Sequence, residues 1–139
     1  MRVLGIDPGE RRIGVAVSDS AGRVATPIEV IQRSGDVARD HRAIADLVAE
    51  WEAELVVVGL PLTLAGEVGP AARRVLDEVE QLRATLPVPV ETYDERLTTV
   101  TAERHLVEQR LGAKARREVV DKVAAAVLLQ AWLDATGDR

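Results

Sequence analysis

Apolar residues along this chain change their spacing several times, and each change marks an element. Residues 2 to 7 (RVLGID) and 13 to 18 (IGVAVS) are short β-branched-rich runs, and in the second Ile13, Val15 and Val17 alternate with Gly14, Ala16 and Ser18. Alternation with period two marks a strand with one buried face. Pro8-Gly9 between them is a turn signal, so the pair reads as a hairpin. A third strand over 24 to 31 follows the turn at Ser20-Ala21-Gly22 and completes an antiparallel meander.

Beyond Ser34-Gly35-Asp36, a helix start, Ile44, Leu47, Val48 and Trp51 recur at i, i+3, i+4 and i+7, which predicts an amphipathic helix. Residues 55 to 59 (LVVVG) are apolar throughout, as in a parallel strand covered on both faces. LPLTLAGEVGP then reads as a loop, and Ala72, Val75, Leu76, Val79 and Leu82 mark a second helix with Pro70 near its first turn. A fifth strand over 88 to 93, punctuated by Pro87 and Pro89, belongs at a sheet edge because Pro cannot donate to a ladder. Two helices close the chain, over 98 to 110 and 118 to 135, the last with Val120, Val123, Val127, Leu128 and Ala131 on one stripe. The order βββαβαβαα predicts an α/β fold: a mixed five-stranded sheet, three antiparallel strands and then parallel ones, flanked by helices.

The 139 residues, 47% of them apolar, suit one domain spanning 1–139 with its own core. There is no Cys, and only His41 and His105 could offer nitrogen, so any metal must sit on oxygen ligands. Both histidines read as surface residues. The net charge of -5 argues against a general cationic coat for nucleic acid and leaves room for a local basic patch. With Tyr93, Trp51 and Trp132 as the whole aromatic complement, binders that stack successive bases on ring platforms are disfavoured. The start, MRVLGIDPG, is too short and polar for a signal peptide, and no run approaches the roughly 18 apolar residues of a membrane span. A cytoplasmic protein without membrane contact is expected.

Carboxylates stand where strands end. Asp7 closes the first strand, Asp94-Glu95 follows the fifth, and Asp121 falls in the first turn of the last predicted helix. In open α/β sheets, sites form outside the carboxyl ends of strands. Each acid also has a bland explanation: Asp before Pro-Gly forms turns, Asp94-Glu95 would cap a helix, and an acid early in a helix suits its dipole. Against these, Asp7 ends an apolar strand where an unpaired carboxylate is expensive, and Asp121 lies among Val120, Val123 and Ala124. Hard divalent cations would offset that cost, since three carboxylates against two Mg²⁺ or Mn²⁺ leave net positive charge for a phosphodiester.

The segments GIDPGERRIGVAVSD, VVVGLPLTLAGEVGP, YDERLTT and VDKVAAAVLLQAWLD, in this order, resemble the YqgF family of Holliday-junction-resolvase-like nucleases, also described as pre-16S rRNA nucleases, within the ribonuclease H-like superfamily. The resemblance covers essentially the whole chain. An isolated G-x-D-x-G would be weak, because actin-like ATPases and sugar kinases use a similar turn on phosphate, but they clamp the nucleotide between two domains. It implies a ribonuclease H-like fold, metal-assisted phosphodiester hydrolysis with Asp7, Glu95 and Asp121 as catalytic and metal-holding acids, two Mg²⁺ or Mn²⁺ ions, and Asp7 as bridging ligand. Substrate contacts are expected from the basic segment between Arg104 and Lys122, with Arg110, Lys114, Arg116 and Arg117, and from Arg11, Arg12, Arg96 and Thr98, the last also a candidate helix cap. Arg116 and Arg117 are expected on an exposed loop. Three functions remain open: trimming of the 5′ end of a ribosomal RNA precursor, cleavage of branched DNA by a homodimer, and a non-catalytic assembly module, which the intact acids count against.

Overall fold

The computed structural model describes residues 1–98 and 113–137; within 113–119 it defines the helical backbone alone. Five strands, β1 (Val3–Pro8), β2 (Arg12–Ser18), β3 (Ala25–Gln32), β4 (Leu55–Leu60) and β5 (Val90–Asp94), form one sheet in the order β3-β2-β1-β4-β5. β1 to β3 are antiparallel, and β4 and β5 run parallel to β1. The expected meander and the mixed sheet are therefore present, with β5 at an edge. The helix expected over 98 to 110 falls almost wholly outside the described residues.

Helices α1 (Val37–Trp51) and α2 (Pro70–Thr85) make the crossovers and cover one face. Asp36 caps α1 by accepting from the Arg39 amide, and Pro70 opens α2 where a missing N–H costs nothing. Ile44 and Val48 of α1 and Val75, Val79 and Leu82 of α2 pack on Leu4, Ile6, Ile13, Val15, Val56 and Val58, which alternate along their strands onto one face of the sheet. The third helix, α3 (Ala113–Thr136), covers the other face through Ala125, Leu129, Trp132 and Leu133, over Val3, Ala16, Leu55 and Val57.

α3 departs from the expectation in two respects. It begins at Ala113, so Asp121 lies in its third turn, and Arg116 and Arg117 belong to the helix rather than to a loop. Val120 and Leu128 are buried as expected, together with Ala124, Ala125, Leu129, Trp132 and Leu133, while Val123, Val127 and Ala131 are half-buried. The reason is a glycine track in the sheet. A Cβ on Gly5 would stand 2.8 Å from the Cβ of Leu129, and one on Gly59 would stand 3.0 Å from Leu128. At Gly14 it would collide with the backbone carbonyl of Asp121. The glycines let the helix backbone lie this close, with the Asp121 carbonyl over Gly14 and the Ala125 carbonyl over Gly5.

On the opposite face a polar network is buried. His41, expected at the surface, is 2% exposed and its Nε2 lies 2.8 Å from Glu78 of α2. It occupies the apolar face of α1, three residues before Ile44. Glu78 also receives Nη1 and Nη2 of Arg33 at 2.8 and 2.9 Å. Buried Asp40 accepts from the Ser34 amide and hydroxyl, which ties the end of β3 to α1.

Because the obstacle at Gly14 is backbone and cannot rotate away, Gly14→Ala should destabilise the protein by about 3 kcal/mol, the upper range for overpacking. Urea denaturation checks this; a loss below about 1 kcal/mol would mean that α3 lifts freely from the sheet.

Candidate active site

Asp7 is the penultimate residue of β1, is 6% exposed, and pairs across the hairpin with Gly14. By strand alternation its side chain shares the face of Val3 and Gly5, the face that α3 covers. Because Asp121's carbonyl rests on Gly14, α3 delivers this second acid beside the residue paired with Asp7. The sheet and the helix backbone bring these two positions together, with no loop involved.

Glu95 is carried differently. Asp94 ends β5, and Glu95–Leu97 forms a single 3₁₀ turn after it. The Asp94 carboxylate caps that turn by accepting from the Arg96 amide, the local role open to it from sequence. Ile6 is level with Val58 and Leu60 with Asp94, so Asp7 and Glu95 leave the same end of the sheet. β4 lies between their strands, a separation of roughly 10 Å at two strand spacings. Accordingly, among the described residues no group of three or more His, Asp or Glu is gathered closely enough to hold a metal ion. Glu95 leaves the same end of the sheet as Asp7.

Arg12 and Arg96 are engaged within the protein. Arg12, expected to touch substrate, opens β2 and places its Nε 2.7 Å from Oδ2 of Asp121, with both side chains under one fifth exposed. Arg96 grips Asp94 through Nε and Nη2, the latter at 2.7 Å, and reaches the Leu64 carbonyl at 3.3 Å. That hydrogen-bonded guanidinium holds the Asp94 carboxyl below the usual carboxylate range. Thr98 donates its hydroxyl to the Glu95 carbonyl, closing the 3₁₀ turn as a cap. Arg11 is exposed, and Lys122 is exposed on α3 one residue after Asp121. Lys114, Arg116 and Arg117 lie on the first turns of α3, with side chains outside the described set, and Arg104 and Arg110 lie outside the described residues.

Sequence reasoning missed the Arg33–Glu78–His41 network next to this site. Its signal was present, since His41, Ile44, Val48 and Trp51 share one helical face. Burial pushes the Glu78 carboxyl up, but the hydrogen bonds from Arg33 and His41 together outweigh it and leave Glu78 below its ordinary value.

A mixed five-stranded sheet of order 3-2-1-4-5 with helices on both faces is the ribonuclease H-like fold. The profile of the family described as "RuvX: Holliday junction resolvase" matches residues 1–135, and the chain belongs to that family. Over 134 residues it is 52% identical to a protein of Mycobacterium sp. (strain KMS) named "Putative pre-16S rRNA nuclease", covering 96% of this chain and 79% of the relative. A protein of the same name from Desulforudis audaxviator is 46% identical over 96% of this chain and 94% of its own length. Among solved structures, Thermus thermophilus RuvC in complex with a Holliday junction substrate aligns with TM-score 0.55 and 26% identity, covering 97% of this chain and 95% of that one. No helix among the described residues is long and apolar enough to cross a membrane.

The Arg12–Asp121 pair is charge-assisted and mostly shielded, so it should contribute about 1 kcal/mol to folding. Arg12→Gln and Asp121→Asn, alone and combined, form the cycle that measures it. A coupling energy near zero would mean that the two side chains do not hold each other in solution.

Proposed function

We propose that this chain is a divalent-metal-dependent nuclease that trims the 5′ end of pre-16S ribosomal RNA, with Asp7, Glu95 and Asp121 as its catalytic acids. The observation that supports the reading is the seating of the Asp121 backbone over Gly14, the strand partner of Asp7, so that two acids from distant parts of the sequence occupy neighbouring backbone positions. Relatives about half identical over nearly the whole chain, named for that RNA, support the substrate.

In donor chemistry the three carboxylates suit Mg²⁺ or Mn²⁺, hard cations that prefer oxygen. Bound there, one or two such ions would supply an acidified water and neutralise charge on the phosphodiester. The protein's own work is positional. The end of β1 holds Asp7 in a dry, fixed site, the rigid helix backbone holds Asp121, and the 3₁₀ turn presents Glu95 from β5. Arg12 neutralises Asp121 and stands at the mouth of the site, where it is also placed to meet a phosphate. Exposed Arg11 and Lys122 stand one residue from Arg12 and Asp121, and with Lys114, Arg116 and Arg117 earlier on α3 they are the cations proposed to contact the RNA in an acidic protein. A cytoplasmic location follows from such a substrate.

The alternative is cleavage of branched DNA, which the likeness to RuvC favours and which would call for a dimer with two sites related by a two-fold axis. Incubating one preparation with the 5′ precursor of 16S RNA and with a four-way DNA junction, each with Mn²⁺ or Mg²⁺, separates the two. Cutting of the RNA is expected. Asp7→Asn, Glu95→Gln and Asp121→Asn should each lower it by at least about a hundredfold, because each removes several kcal/mol of charge stabilisation. Junction cleavage without RNA cleavage would reverse the substrate assignment, and near-normal cutting by Asp121→Asn would remove that residue from the site.

A further inference from the structure

Between Asp7 and Arg12 the chain turns back within four residues, so the turn Pro8 to Arg11 sets how those two side chains stand to each other. Gly9 is its pivot. The Gly9 amide donates to the carbonyls of Asp7 at 3.2 Å and of Arg12 at 2.9 Å. A Cβ at Gly9 would lie 2.6 Å from the Arg12 carbonyl oxygen, so the two sides of the turn are in direct contact. On the α1 and α2 side, a cavity of about 650 Å³ lined by Pro8, Gly9, Arg33, Arg74 and Glu78 opens beneath the turn, so close packing does not fix it from below.

Two guanidinium groups reach it, Arg74 pairing with Glu10 at 3.0 Å in open solvent, where such a pair contributes little, and Arg33 from a shielded position. Arg33 follows β3, and its Nε donates to the Gly9 carbonyl at 2.8 Å while its backbone N–H donates to the Arg11 carbonyl at 2.9 Å. The remaining two nitrogens fork onto both carboxylate oxygens of Glu78, and Glu78 is held in turn by buried His41. The fork fixes the plane of the guanidinium, and only in that plane does Nε aim at Gly9. We infer that Arg33 is a positioning residue for the reaction: locked by Glu78 and His41, it fixes the Gly9 turn and thereby the placement of Asp7 against Arg12 and its partner Asp121. This rests on the reading of Asp7 and Asp121 as catalytic acids. Misplacement of reacting groups by about 1 Å is enough to cost two orders of magnitude in rate.

Lysine separates this role from a structural one. In Arg33→Lys the charge can still pair with Glu78 and close the seam between β3 and α2, but a single ammonium cannot also reproduce the fork and the bond to Gly9. The test uses the full chain, the 16S precursor RNA and Mn²⁺, well below each variant's melting temperature. For Arg33→Lys, kcat should fall ten- to a hundredfold with KM within about twofold of wild type, and hydrogen exchange at the Gly9 amide should quicken at least about tenfold. Glu78→Gln, which breaks the fork while leaving Arg33 in place, should show the same split and serves if the lysine variant does not fold. Wild-type kcat in either folded variant would overturn the inference, as would unchanged Gly9 exchange. If the wild-type protein cuts neither RNA nor junction, the catalytic reading has failed, and the exchange measurement still decides whether Arg33 fixes the turn.

Discussion

Where α3 crosses the sheet, it packs on three glycines in three adjacent strands, through its backbone at Gly14 and Gly5 and through Leu128 at Gly59, and most of the active-site architecture follows from that contact. At Gly14 the helix carbonyl of Asp121 occupies the space that any side chain would need. Farther along, Leu129 and Leu128 fill the space above Gly5 and Gly59. Close packing of this kind leaves no freedom to slide, because moving the helix by one residue would drive a larger side chain into a strand backbone. The same contact therefore stabilises the fold and sets the height of Asp121 over the sheet. Stability and site geometry are here one constraint.

At the sheet end that carries the site, and beside it, arginines handle the charge of three acids. Arg12 takes Asp121, Arg96 takes Asp94, and Arg33 takes Glu78, each at 2.7 to 2.8 Å at its closest approach. A shielded carboxylate facing another carboxylate would otherwise repel it or take up a proton. Arginine suits the task because its guanidinium stays charged and its fork fixes direction as well as distance. The abundance of arginine over lysine, which in sequence could reflect codon usage alone, has a structural use at these three positions.

The strands and the first two helices were legible because their spacing is unambiguous: period two in 13 to 18, an unbroken apolar run at 55 to 59, and i, i+3, i+4 recurrence in 44 to 51. Asp7, Glu95 and Asp121 were legible through a motif resemblance; their placement was not, because it depends on strand order. With β4 inserted between β1 and β5, Glu95 stands two strands from Asp7. Of the stripe expected on α3, Val120 and Leu128 are buried but Val123, Val127 and Ala131 only half so, because the helix is turned to set Ala125, Leu128 and Leu129 over glycines that lie in three different strands. His41 was misjudged because its partners, Glu78 and Arg33, are far away in sequence, and a histidine on an apolar face reads as exposed or buried only once they are known.

The claim on which everything else turns is that Asp7 and Asp121 belong to one oxygen-donor site for a divalent cation. Calorimetric titration of Mn²⁺ into the wild-type chain, Asp7→Asn and Asp121→Asn tests it without reference to any substrate. Saturable binding by the wild type, weakened at least about tenfold in both variants while their melting remains cooperative, is the expected result. Equal Mn²⁺ affinity in all three proteins would contradict it and separate the two carboxylates from metal binding.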